Sequence, residues 1–436
     1  MTPAQRLRNI LGGSAGNFVE WFDWFAYASF AIYFSRAFFP QGDQTAQLLG
    51  AATIFAVGFI ARPVGALLLG IYADRAGRRA ALTLSVAMMC FGSLMIAVIP
   101  TGLGLLSPLL LGLARLLQGL SVGGEYGASA TYVSEMSGRT RRGFWSGFLY
   151  VTLTGGQLAA LLLQVLLQQV LTEAELYDWG WRIPFVVGAA LSVVVWWIRR
   201  GIHETRSFTG AAAPAHERGR AWALFTHYPR ETATVVVLTA AGGLGFYTYT
   251  TYMQKLLVNS AGFEKALASQ VMTALLATFL LLPPLFGWIA DRVGHRRVLL
   301  FSYGGGAVIG VPVLNALAHV TDPLAAYLLA LLPLVVLSGY CALSAIVKAE
   351  LYPVHVRALG VALPYALAQA VFGGNAETAA LYLKQIGHEP AFFWLVAGIM
   401  AAAFVATLRL PETRDQSLIH AEQDSDPAAA PTPVER

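Results

Sequence analysis

The chain has 436 residues, of which 56% are apolar and only 12% charged, with a formal net charge of +5. Soluble domains carry roughly 25% charged residues, so a water-soluble globule of this length is excluded. The positive balance would raise nucleic acid in a soluble protein. Here the arginines gather in alternate short breaks between apolar runs, which is a topological bias and no nucleic-acid footprint.

Stretches of about 20 predominantly apolar residues span a bilayer, and they predict an all-α membrane protein of twelve helices. In chain order these are 10–38, 46–72, 80–99, 105–133, 143–171, 181–199, 231–258, 266–290, 298–318, 322–349, 357–386 and 391–410. The first carries Glu20 and Asp23 and lacks a small-residue cleavage site, so it reads as a retained helix rather than a signal peptide. The first six helices form one half, 1–199. Residues 200–230 mix charge with Gly210-Ala211-Ala212-Ala213-Pro214 and read as a cytoplasmic linker with a short surface helix. The other six helices form the second half, 231–410, and the Ala/Pro-rich tail 411–436 is expected to be disordered. Glycines such as Gly119 and Gly123 read as close helix packing, and Cys90 and Cys341, both inside spans, as small apolar side chains.

The two halves repeat a motif. Gly70-Ile71-Tyr72-Ala73-Asp74-Arg75-Ala76-Gly77-Arg78-Arg79 returns about half the chain later as Gly287-Trp288-Ile289-Ala290-Asp291-Arg292-Val293-Gly294-His295-Arg296-Arg297. A second echo joins Glu135 and Arg142-Gly143 to Glu350, Arg357 and Gly360. These loops share one side of the membrane, and the positive-inside bias places that side, the linker and both termini in the cytoplasm.

Ionisable residues within a span cost about 2.5–3.5 kcal/mol on insertion scales, so they face a partner or a water-filled cavity. At a rise of about 1.5 Å per residue, Glu20, Asp23, Arg62 and Arg115 fall near mid-depth, and Glu125 lies nearer the cytoplasm. They form a charge-lined cavity wall, or they neutralise one another and lock helices together. In the second half the buried polarity is Tyr247, Thr248, Tyr249, Thr250, Thr251, Tyr252 and Gln254, with Lys255 and Glu377 toward the other side. Tyr and Thr hydroxyls can hydrogen-bond an oxyanion without a counter-ion. Asp74 and Asp291, at helix ends amid arginines, can pair with those neighbours and with the N-terminal dipole of another helix, as latches that form in one orientation of the halves and break in the other.

The paired Gly/Asp/Arg loops resemble the signature loop of the major facilitator superfamily. Gly16-Asn17-Phe18-Val19-Glu20-Trp21-Phe22-Asp23, Arg62-Pro63-Val64-Gly65 and Gln118-Gly119 through Gly123-Gly124-Glu125-Tyr126-Gly127 narrow the likeness to its metabolite:proton symporter family, which includes carriers of 2-oxoglutarate, citrate, shikimate and proline or betaine. Thr250-Thr251-Tyr252-Met253-Gln254-Lys255, Lys348-Ala349-Glu350 and Phe372-Gly373-Gly374 are similar to the 2-oxoglutarate branch. The resemblance implies the two-fold fold of six-helix pseudo-repeats and proton-coupled import of a C5 dicarboxylate across a bacterial inner membrane.

The expected partners are thus a small organic anion, a proton and the lipid bilayer, with no cofactor, no metal and a monomeric chain. Arg62, Arg115, Tyr247, Tyr249 and Lys255 are the expected substrate-binding residues. Glu20, Asp23 and Glu125 are the coupling candidates, because a carboxylate takes a proton more readily once its arginine is drawn toward cargo. Asp74, Arg78, Arg142, Asp291, Arg296, Glu350 and Arg357 are the expected gating residues, whereas His295 is expected to matter least. A different cargo, such as proline or betaine, citrate or shikimate, is the alternative, although the short tail lacks the coiled coil of osmosensing members. A receptor that senses without transporting is a further alternative. No Ser/His/Asp set, metal-ligand spacing or phosphate loop supports an enzyme.

Overall fold

The computed structural model describes residues 3–76, 78–123, 141–199 and 221–414. Among the described residues the chain forms twelve helical rods: α1 Pro3–Phe38, α2 Gln44–Ala76, α3 Arg78–Val98, α4 Leu106–Gly123, α5 Arg142–Val170 and α6 Ile183–Arg199 in the first half. The second half holds α7 Pro229–Asn259, α8 Lys265–Val293, α9 His295–Ala318, α10 Pro323–Glu350, α11 (354–385) and α12 Glu389–Leu408. Eight of the rods are long and apolar enough on their own to cross a membrane, while Thr83–Val98 in α3 and Gly180–Val195 around α6 are apolar but shorter. The expected continuation of α4 to 133 lies outside the described residues.

In the first half α2 lies along α4, α1 along α5, and α3 along α6; in the second, α9 packs on α10 and α12, and α7 on α11 and α12. The halves meet on one side through α5 with α8 and α10, and on the other through α2 with α11. Two of these seams depend on missing side chains. A Cβ on Gly119 of α4 would strike the Gly58 carbonyl of α2, and a Cβ on Gly287 of α8 would strike the Gly143 carbonyl of α5. Small residues let such backbones approach, and in the first seam the approach brings Arg62 and Arg115 to one set of aromatic rings.

Both α7 and α11 contain a π-helical turn, at Thr248–Tyr252 and Gln369–Gly373. Such turns interrupt the i→i+4 ladder and occur often at functional sites. In α7 the carbonyl of Thr250 accepts from Gln157 Nε2 of α5 at 3.0 Å, so the irregular turn is used to join the two halves.

At the edges of the two halves, Ala221–His227 forms a short helix within the expected linker and buries Leu224 against a cluster with Val235 and Tyr352. Residues 411–414, counted in the expected tail, are tied to the bundle. Thr413 is buried and the Glu412 carboxylate accepts the backbone N–H groups of His295 at 2.8 Å and Arg296 at 3.3 Å. The first turn of α9 leaves N–H groups without helical partners, and that demand holds these residues in place.

Candidate functional site

The centre of the bundle is built along α1. Its residues Trp21, Trp24 and Tyr27 follow at three-residue spacing and so share one face. Arg62, from α2, lays its guanidinium 4.1 Å from the Trp24 ring centroid, 4.0 Å from Phe59 and 5.2 Å from Trp21. Arg115, from α4, lies on the same ladder one step on, 4.0 Å from Trp24, 4.6 Å from Tyr27 and 5.1 Å from Phe55. Only 3% of Arg62 and none of Arg115 is exposed. Desolvated cation–π contacts contribute about 2 kcal/mol each, which offsets part of the burial of two like charges. Four guanidinium nitrogens, Nε and Nη2 of each arginine, have no hydrogen-bond acceptor. The site therefore holds unused donors aimed from two helices.

Asp23 lies beside this pair but reaches Arg115 through an amide. Arg115 Nη1 donates to Gln118 Oε1 at 2.6 Å, and Gln118 Nε2 donates to Asp23 Oδ2 at 2.5 Å and to Ser93 Oγ at 3.0 Å. Asp23 Oδ1 has no hydrogen-bond partner. It faces α6, where a Cβ on Gly188 would strike the carboxylate. Glu20, three residues earlier on α1, is also buried. Glu125 lies outside the described residues.

From the second half, Tyr247 closes the ladder. Its ring stands edge-on to Phe59 at 5.0 Å, and its hydroxyl lies within electrostatic reach of Arg62. Tyr249 does not join it: positions two apart on a helix point about 200° from each other, and the Tyr249 hydroxyl instead approaches Gly310 of α9. Lys255 stands one turn beyond Arg115. Its Nζ donates to the Ala28 carbonyl of α1 at 2.5 Å and lies 3.4 Å from Glu377 Oε2 on α11. The three cations thus rise along one face of α1, beside Trp21, Trp24 and Ala28.

The loop residues divide into two groups. Asp291, at the end of α8, accepts from the backbone N–H of Gly143 at 2.7 Å and of Phe144 at 3.0 Å, capping the first turn of α5 across the interface. Arg142 Nη1 lies 4.0 Å from Glu350 Oε1, again between halves, and His295 Nδ1 lies 3.2 Å from Glu350 Oε2. Arg296 and Arg357 act within the second half only as far as their described contacts go. Arg296 donates to the last carbonyls of α12, Thr407 and Leu408, and Arg357 Nε donates to Ala349 and Tyr352 at the α10–α11 turn. The side chains of Asp74 and Arg78 lie outside the described residues.

At the opposite end the halves are joined by amides. Gln164 Nε2 donates to the Ser29 carbonyl at 3.1 Å while its Oε1 accepts from Gln254 at 3.0 Å; Gln168 donates to Tyr33 and Ser269. Asn259 adds a bond to Thr45 at 3.1 Å. The sequence marks out Gln254 but neither Gln164 nor Gln168, since an isolated Gln in a span looks like ordinary helix packing. The relevant signal is their spacing on one helix, Gln157, Gln164 and Gln168, which puts all three on one face of α5.

The residues 13–374 match the profile of the Major Facilitator Superfamily. The chain belongs to that superfamily. This transporter is 50% identical over 409 residues to the alpha-ketoglutarate permease of Escherichia coli (strain K12), covering 93% of this chain and 94% of the relative. It is 31% identical to the citrate-proton symporter of Klebsiella pneumoniae, with 92% of each chain covered, and 27% identical to the proline/betaine transporter of Escherichia coli (strain K12), covering 94% of this chain and 84% of the relative. Its fold is shared with a solved proton:xylose symporter bound to 6-bromo-6-deoxy-D-glucose, at a TM-score of 0.76 and 15% identity, covering 98% of this chain and 100% of the other. The transporter is a membrane-spanning carrier and no enzyme.

Proposed function

We propose that this transporter imports 2-oxoglutarate, or a similar dicarboxylate, together with protons across a bacterial inner membrane, working as a monomer with both termini and the Asp291 loop in the cytoplasm. One observation carries the cargo's chemistry: two buried guanidiniums from α2 and α4 hold four N–H-bearing nitrogens without acceptors beside the interface of the halves. A dianion satisfies such donors by charge-assisted hydrogen bonds. The 50% identical relative named for alpha-ketoglutarate supports the choice of acid.

Coupling follows from Gln118. When a substrate carboxylate takes the Arg115 donors, the amide that bridges Arg115 and Asp23 loses its anchor, and Asp23 becomes the better proton acceptor. Release of the proton restores the relay. Alternating access then consists of the two halves rocking about this site, with the Asp291 cap on α5 and the Arg142–Glu350 contact made when the cytoplasmic end is shut. Asp74 is assigned the matching latch of the first half.

The test is counterflow in proteoliposomes against a panel of organic acids at two proton gradients. Labelled 2-oxoglutarate is expected to exchange and to accumulate with the gradient. Counterflow by proline or betaine in its place, or no counterflow of any acid, overturns the reading.

A further inference from the structure

A cavity of ≈ 600 Å³ opens away from the transport site, where α8, α9 and the segment after α12 meet, and it is lined by Arg292, Arg296, Arg297, Arg414, Leu300 and Glu412 among others. We propose that this pocket binds the phosphate headgroup of an anionic phospholipid from the leaflet on that side, with the acyl chains lying along α8 and α9.

The charge is the first argument. Four guanidiniums share the pocket with one carboxylate, and Glu412 is already engaged by the backbone N–H groups of His295 and Arg296. Among the described residues no carboxylate lies within ion-pair distance of Arg292, Arg296 or Arg297. Arg292 and Arg297 each donate one bond to a carbonyl near the end of α8, Trp288 at 3.1 Å and Val293 at 3.1 Å, and Arg414 donates to the carbonyls of Asp291 and Arg292. These bonds fix the guanidiniums around the cavity, and Arg292 and Arg297, with one such bond each, keep further N–H groups for a phosphate, for which arginine is well shaped.

The second argument is where the pocket sits. On α8, Leu281, Leu285 and Trp288 are 70%, 48% and 43% exposed, and at helical spacing they form a stripe that ends at Arg292. On α9, Val308 and Phe301 are 75% and 48% exposed, on a stripe that ends at Arg297. Phe286 and Phe301 stack at 5.9 Å between the two helices. In a membrane-spanning protein such apolar stripes face lipid, so both lead a lipid molecule's tails to the arginines. The Arg292 guanidinium lies 3.4 Å from the Trp288 ring centroid, and Trp is the side chain that marks headgroup depth. A soluble anion would satisfy the charge but has no use for the stripes.

The purified transporter is titrated in detergent with phosphatidylglycerol, cardiolipin, phosphatidylcholine and glycerol 3-phosphate, with thermal stability and native mass spectrometry as readouts. Both anionic lipids are expected to remain bound and raise Tm, and the other two to do neither. R292Q/R297Q is expected to weaken retention roughly tenfold or more, since each arginine near a charged membrane surface contributes on the order of one decade or less. R292K/R297K is expected to recover part of it. Equal retention of phosphatidylcholine, equal stabilisation by glycerol 3-phosphate, or parent-like retention of anionic lipid by R292Q/R297Q overturns the proposal. The four-compound comparison on the parent protein decides between lipid and soluble anion even if the double variant does not fold.

Discussion

Asp23 and Arg115 are joined through one side-chain amide: Gln118 accepts from Arg115 at 2.6 Å and donates to Asp23 at 2.5 Å. The carboxylate therefore senses the arginine through a group that can rotate. Asp23→Asn, which resembles the protonated form, is expected to abolish accumulation driven by a proton gradient while sparing exchange of internal for external substrate. Gln118→Leu keeps both charges and removes the link, so it is expected to lower accumulation at a given gradient. Vesicle uptake with and without a gradient checks both, and Glu20→Gln belongs in the same set. Accumulation with normal pH dependence in all three variants would move the proton site elsewhere.

Arg62→Gln and Arg115→Gln are each expected to weaken 2-oxoglutarate binding about ten- to a hundredfold, because a hydrogen bond to a charged group contributes about 1.5–3 kcal/mol. Substrate-induced thermal stabilisation measures this. Parent-like stabilisation in both variants would place the cargo away from the Trp24 ladder.

Lys255 and Glu377 form a buried pair, and removing one partner of such a pair costs about 3–5 kcal/mol because the other charge is stranded. Lys255→Met is thus expected to lower stability strongly, and Lys255→Met with Glu377→Leu to recover most of it. Denaturation in detergent reads the difference. Transport in the recovered double variant then separates two roles: it stays lost if Lys255 touches cargo and returns if the pair only ties α7 to α11.

Asp291→Asn keeps the side chain's size but turns one of its two accepting oxygens into an amide N–H₂ that cannot accept, a change expected to cost the closed seam about 1 kcal/mol. Net uptake should slow with substrate affinity unchanged, and Asp74→Asn is expected to do the same. Gly287→Ala acts on the same seam by sterics, since its Cβ would meet the Gly143 carbonyl. Spin-label distances across the α5–α8 seam should lengthen in Asp291→Asn and Gly287→Ala. Unchanged distances with lost affinity would contradict the latch.

The sequence exposes Asp23, Arg62 and Arg115 because charges inside apolar runs are conspicuous, and the repeated loop exposes the two-fold architecture. Gln118 stands in the sequence only as part of a helix-4 motif, with its bridging role hidden, and Ser93 escapes notice, because a neutral polar side chain in a span is common and its partner lies on another helix. The aromatic faces of Trp24, Phe55 and Phe59 are equally silent, as apolar residues look alike until packing gives them a guanidinium. Tyr249 could have been separated from Tyr247 by helical periodicity alone. His295, expected to matter least, is 1% exposed and lies against Glu350, because its loop carries it under the end of α10 rather than into water. Glu412 belongs to a segment that reads as loop, and only the uncapped turn of α9 explains its place.

The two ends of the inter-half seam are fastened by different chemistry. One end uses Asp291, Arg142, Glu350 and His295; at the other the fasteners are buried Gln164 and Gln254 with half-buried Gln168 and Asn259, and an ion pair between halves there, Lys265 with Glu173, is solvent-exposed and contributes little. Carboxamides neither titrate nor draw a salt atmosphere. A change of acidity or ionic strength therefore acts on the Asp291 end of the seam and leaves the carboxamide bonds of the other end almost untouched.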